Sequence, residues 1–192
     1  MSAATCIAST SGNWSTVETW TNCGGISPGV GDTVILYSGA TVTVTANTAV
    51  SSVVFSPTSS SATLSVDSGF VLTVTSTVIL NSSTSTDANA TIMGEGGMTA
   101  ASVTSGLSTT VPDSTHTTKL IFAIATSTIS GTARGVSTGS GGFTNTGEID
   151  LQSGSMTVGT LTFTPNTGPA PIFSLATGAQ TGTLTIMGSG TP

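Results

Sequence analysis

Polar and apolar residues alternate with period two along much of the chain. Thr41-Val42-Thr43-Val44-Thr45, Thr63-Leu64-Ser65-Val66, Leu72-Thr73-Val74-Thr75 and Thr183-Leu184-Thr185-Ile186 each set apolar side chains on one face and hydroxyls on the other. That is the pattern of a strand with one buried and one wetted face. The continuous apolar runs, Val53-Val54-Phe55, Val78-Ile79-Leu80 and Leu120-Ile121-Phe122-Ala123-Ile124, have strand length. All are far below the roughly 18 residues of a membrane span. No window carries apolar residues at i, i+3, i+4 and i+7 over two turns, and the usual helix-surface residues are scarce. The pattern predicts an all-β chain.

Strand spacing narrows the architecture. Thr33–Leu36, Thr63–Val66 and Ala90–Met93 form one series, with steps of about 30 and 27 residues. Val42–Val44 and Leu72–Val74 form a second, stepping by about 30, and Val53–Phe55 and Val78–Leu80 a third, by about 25. Three interleaved series with one rough period predict a right-handed parallel β-helix, a β-solenoid with about three strands per coil. A single coil cannot bury its own apolar face, so successive coils must stack. Turn residues fall where corners are needed, at Ser38-Gly39, Ser56-Pro57, Asp67-Ser68-Gly69 and Asn81-Ser82. The alternative is an antiparallel β-sandwich, which also uses short strands at close spacing.

Composition changes the picture of the surface. Of 192 residues, 41 are Thr, 30 Ser and 24 Gly, whereas eight are acidic and only Lys119 and Arg134 are basic. Hydroxyls and backbone, rather than ions, must wet this molecule. Two basic side chains provide no footprint for nucleic acid or for an anionic membrane surface. Linker-like disorder is countered by the sustained alternation of β-branched residues. Met1-Ser2-Ala3-Ala4-Thr5 lacks a charged and apolar leader pattern; a secreted or cell-surface chain whose leader has been removed is expected, and a leaderless cytosolic protein, which would look the same, is the alternative.

The N-terminal stretch adds a resemblance. Gly12-Asn13-Trp14, Thr19-Trp20, Pro28-Gly29-Val30-Gly31-Asp32-Thr33-Val34-Ile35 and Gly39-Ala40-Thr41-Val42-Thr43-Val44 resemble the first coils of secreted bacterial right-handed parallel β-helix domains, and in part animal G8 domains. The resemblance covers about residues 11–80. It implies coils beginning near Gly31 and a cap formed by the segment before them; it does not imply one function, since such domains occur in adhesins, pilus-tip proteins and surface enzymes. The expected organisation is therefore a cap at 1–30 and coils over 31–192, within one structural domain.

Several residues are candidates for specific roles. Trp14 and Trp20 can cover the exposed end of the first coil, each burying about 150–250 Å²; the alternative is stacking on a sugar. Cys6 and Cys23 bracket the same segment. With no His nearby, a disulfide is expected rather than a metal site or redox pair. His116 reads as a loop histidine. Glu148 and Asp150 could supply paired carboxylates for glycoside hydrolysis, but Gly147-Glu148-Ile149-Asp150-Leu151 reads more simply as an amphipathic strand with its acids exposed. Asp32, Asp67 and Asp87 are expected as turn residues bonding their own backbone, with calcium at a corner as the alternative. Gly94-Glu95-Gly96-Gly97 and Gly139-Ser140-Gly141-Gly142 lack the Lys-Ser/Thr pair of a phosphate loop and read as wide corners. Asn13, Asn81 and Asn89 head N-x-S/T sequences, a number that chance alone supplies in a chain this rich in hydroxyls.

These features point to a non-enzymatic extracellular structural protein, part of a surface filament, pilus (fimbrium) or adhesin, with no cofactor, no metal and no membrane insertion. End-to-end self-association is expected through Leu184, Ile186 and Met187. A module binding carbohydrate or another surface ligand, less readily ice, is the alternative, since the Thr41, Thr43 and Thr45 row is not expected to recur on every coil. A polysaccharide-acting β-helix enzyme is the third reading.

Overall fold

The computed structural model describes residues 3–8, 10–57, 61–82, 87–108, 116–140, 143–152, 154–165, 172–174 and 183–186. The strands are β1 (Thr5–Ala8), β2 (Gly12–Asn13), β3 (Thr33–Tyr37), β4 (Thr41–Val44), β5 (Thr48–Val50), β6 (Ser52–Ser56) and β7 (Ala62–Val66). They continue as β8 (Val71–Ser82), β9 (Ala88–Ser108), β10 (His116–Ser140), β11 (Phe143–Asp150), β12 (Ser155–Pro165), β13 (Ile172–Ser174) and β14 (Thr183–Ile186). One 3-10 turn, Val17–Thr19, lies between β2 and β3.

Each strand pairs with a segment one coil away, and the ladders run parallel. The first face stacks residues 5–8, 33–37, 52–56, 77–82, 102–105, 132–137 and 160–165. The second stacks 12–13, 41–44, 62–66, 88–94, 117–124, 146–150 and 172–174. The third stacks 48–50, 71–74, 97–100, 126–129, 155–158 and 183–186. β8, β9 and β10 turn corners without a break and so contribute to more than one face. The fold is a parallel β-solenoid with three sides per coil, and the direction of its ladders rules out the antiparallel sandwich. β10 meets β11 in two ways: residues 116–121 and 145–150 rise together, whereas 138–140 and 143–145 close an antiparallel hairpin.

Two of the expected strand series are out of phase in their first step, although the later step of one of them holds, since Thr63 pairs with Thr91. Val53–Phe55 does pair with Val78–Leu80. Thr33, however, pairs with Ser52 rather than Thr63, and Val42 pairs with Leu64 rather than Leu72. On the first face the coil advances from 33 to 52, a step of 19, then from 53 to 78 and from 78 to 103, steps of 25, and then from 103 to 133, a step of 30. The first coil is short because its corners are: residues 38–40, 45–47 and Ser51 alone turn it, where the next coil spends residues 57–61 and 67–70 on its first two corners. A step of 30 from that coil therefore lands one face further round.

Alternation decides what lies inside. Cys6, Val34, Val53, Val78, Val103 and Ala133 form one inward column on the first face, and each is buried. Ala62, Ala90, Leu120 and Ile149 form another on the second face, beside Leu64, Ile92 and Phe122. Val74, Ala100, Ile129 and Val158 do the same on the third. Together they make one continuous core along the axis.

Outward positions carry hydroxyls in register. On the third face Thr73, Thr99, Thr128, Thr157 and Thr185 stand one above another, about 4.8 Å apart as adjacent strands must be. The Thr-x-Thr motif of Thr41–Thr45 does not recur on every coil, as expected, but a single-Thr column does form here, because the later coils advance by nearly equal steps (99 to 128, 128 to 157, 157 to 185).

Corners are joined by short polar side chains. Asp87 Oδ1 accepts from Thr117 N (2.8 Å) and Asn47 Oδ1 from Val71 N (2.9 Å), each one coil further on. The corner at Gly94 is tight rather than wide. Gly94 has φ +115°, and a Cβ there would collide with the Val66 carbonyl oxygen. Gly96 and Gly97 are buried beside it.

Candidate functional site

The N-terminal segment closes one end of the solenoid. Cys6 and Cys23 form a disulfide with Cα atoms 4.6 Å apart. Ile7 and Thr21 exchange two backbone hydrogen bonds of 2.9 Å, covering part of the free edge of β1. Trp14 and Trp20 pack edge to face with ring centroids 5.1 Å apart. Trp14 Nε1 donates to the Pro28 carbonyl (3.2 Å) and Trp20 Nε1 to the Trp14 carbonyl (2.8 Å). The two indoles are 4% and 6% exposed and belong to the core. Neither presents a ring face for a sugar, so the geometry supports the cap role.

Asp32 ties the cap to the first coil. Its Oδ2 accepts from Gly29 N (2.9 Å), the expected local turn, but Oδ1 also accepts from Ala4 N (2.8 Å) across 28 residues. Cys6, Cys23 and Asp32 offer donor atoms within 4.8 Å of one another. The two sulfurs are bonded to each other and so are not thiolate ligands, and the carboxylate holds backbone amides. The trio is a structural knot.

A second cluster lies on the outer side of the second face. Lys119 and Glu148 are direct partners in the ladder between β10 and β11, and Asp150 follows two residues later, opposite Ile121. Ile149 and Leu151 point inward, as expected. The acids, expected to be exposed, are not. Glu148 is 7% exposed and Asp150 is fully buried. Lys119 Nζ lies 3.0 Å from Glu148 Oε1 and 3.5 Å from Asp150 Oδ2. Ser174 Oγ donates to Glu148 Oε1 (3.1 Å), and Gln152 N donates to Asp150 Oδ1 (3.1 Å). Three coils thus contribute, through β10, β11 and β13.

The electrostatics follow from burial. A buried carboxylate is costly unless paired and hydrogen-bonded, and one ammonium here serves two. Partial desolvation of Lys119 works to lower its pKa. The hydrogen bond and charge of Glu148, with those of Asp150, outweigh it and hold the ammonium above its ordinary value of 10.5. The arrangement does not fit a glycosidase pair. Such an enzyme needs the sugar between its two carboxyls, and here Lys119 Nζ occupies that place.

Sequence reasoning missed Lys119 as part of a site. The available signal was its separation of 29 residues from Glu148, one coil in this part of the chain. The remaining candidates are dispersed. Asp67 stands at a turn where its carbonyl accepts from Phe70 N (3.2 Å). His116 begins β10 opposite Asn145 and its side chain lies outside the described residues, as do Gly141 and Gly142. Leu184 pairs with Met156 and packs half-buried against the core, and Ile186 pairs with Val158. The Ile186 side chain and all of Met187 lie outside the described residues. Asn13 is exposed, and Asn81 and Asn89 are half-buried.

Comparison with protein-family models, with curated proteins and with solved structures returned no match.

Proposed function

We propose that the chain is a non-enzymatic structural unit of an extracellular filament, pilus or adhesin, extended by end-to-end stacking of solenoids. The observation that carries this reading is the contrast between the covered first coil and β14, the last described rung. At the N-terminal end a disulfide, two buried indoles and the Thr21 bridge cover the first coil. The last described rung, β14, pairs with β12 on one side and, among the described residues, has no strand on the other. An uncovered parallel rung offers N–H and C=O groups along the axis and is a template for another chain. Unlike ends in contact generate an open filament rather than a closed dimer. The net charge of −6 opposes stacking only weakly. Sedimentation and electron microscopy of the full chain test this: concentration-dependent rods are expected, lost on deletion of residues 183–192. A monomer at millimolar concentration refutes it.

The Thr ladder favours a second reading, a face that orders water or a polyhydroxyl lattice. Thr73, Thr99, Thr128, Thr157 and Thr185 repeat at one fixed rung spacing. Inhibition of ice recrystallisation, or retention on an insoluble polysaccharide, would support it. Replacement of Thr128 and Thr157 by Lys should then abolish the effect.

A further inference from the structure

The amine of Lys119 and the carboxyl of Asp150 are held together on adjacent coils, the carboxyl fully buried and the lysine side chain half-buried over it. We propose that Lys119 Nζ and Asp150 Cγ condense into an intramolecular isopeptide bond, with Glu148 as the proton carrier. This covalent staple goes beyond the assembly reading and would hold for a monomer as well as for a filament.

Each participant has a position suited to its part. Asp150 is fully buried, with Oδ2 3.5 Å from Nζ. Its other oxygen, Oδ1, accepts from Gln152 N at 3.1 Å; that amide can hold the negative charge that develops when the carboxyl carbon is attacked. Glu148 Oε1 lies 3.0 Å from Nζ and is oriented by Ser174 Oγ. It is within direct proton-transfer distance. The pairing of β10 with β11 supplies the proximity, since both reacting side chains are fixed by the same ladder.

The step balances without any outside reagent. The resting cluster is an ammonium between two carboxylates. Glu148 takes one proton from Nζ and delivers it to Asp150, leaving a neutral amine beside a carboxylic acid with no change in total charge. The freed lone pair attacks Cγ and forms the C–N bond. Glu148 takes a second proton from nitrogen and gives it to the departing oxygen, and the C–O bond breaks with its electron pair on that oxygen. Of the three protons first on Nζ, one stays on the amide and two leave in water. Glu148 ends as it began, accepting from Ser174 Oγ and the new amide N–H. The driving force is electrostatic: a neutral amide replaces a fully buried carboxylate whose desolvation is expensive. Burial of the carboxyl carbon's side then limits the approach of water to the product.

The test is the intact mass of the purified full chain after reduction of its disulfide. The protein should be lighter than its sequence by one water, about 18 Da. Fragmentation should show residue 119 linked to residue 150. Lys119→Arg keeps the positive charge but should have the full sequence mass, as should Glu148→Gln, with circular dichroism confirming that each folds. If either variant does not fold, the linked fragment in the unaltered protein decides alone. Full sequence mass in the folded, unaltered protein after prolonged incubation overturns the proposal, as does a missing water that persists in Lys119→Arg.

Discussion

Two neighbouring substitutions, Val78→Asp and Ile79→Asp, separate inside from outside at a single step along β8. Val78 is fully buried, and its partners in the adjacent coils are Val53 and Val103, both also fully buried. Ile79 faces outward, half-buried between Val54 and Thr104. The new side chain and its charge are the same in both variants, so only the surroundings differ. Holding an ionised carboxyl in an apolar interior costs about 4–7 kcal/mol, or else forces it to remain protonated. That is comparable with the roughly 5–15 kcal/mol stability of a whole domain. Val78→Asp should therefore fail to give a cooperative β-sheet melt at neutral pH. Ile79→Asp loses only strand propensity and some outer-face contact, about 1 kcal/mol, which is a fall of about 2–4 °C in melting temperature for a chain of this length. The pH dependence has a definite sign. A buried acid has a raised folded-state pKa, so the Val78→Asp defect should shrink as pH falls and the group protonates. Thermal melts followed by far-ultraviolet circular dichroism at neutral and acidic pH provide the readout. Equal effects of the two substitutions, or a cooperative melt of Val78→Asp at the unaltered temperature, would refute the inward register.

Two further outcomes concern the cap and a corner. Cys6→Ser should lower stability by about 3 kcal/mol, the chain-entropy value for a loop of this size, while the sheet spectrum survives, because the disulfide staples the cap and not the later coils. A melting temperature unchanged by reductant in the unaltered protein would contradict this. Gly94→Ala forces a Cβ into the Val66 carbonyl and onto a positive φ, so it should be destabilising by more than the roughly 1 kcal/mol that backbone entropy alone could return. Urea denaturation of that variant, with an unchanged midpoint, would show that the corner is looser than described.

What the sequence by itself determined was local. Alternation along Thr41–Thr45, Thr63–Val66 and Leu72–Thr75 specified strands and their inward sets, because side chains on a strand must point to opposite sides in turn. The lone pair of cysteines and the two tryptophans likewise marked the cap. The tertiary structure decided what depends on stacking. Which strand sits above which is set by the number of residues spent at each corner, and that number varies from coil to coil without changing the alternation. For that reason a step of about 30, valid for the later coils, misplaced Thr33–Leu36 and Val42–Val44 by one face. The same dependence hid the charged cluster. Glu148 and Asp150 do lie on the outer, polar positions of their strand, but burial of those positions and the approach of Lys119 arise from three coils in register. Local pattern carries no information about a neighbour 29 residues away until the coil length is known.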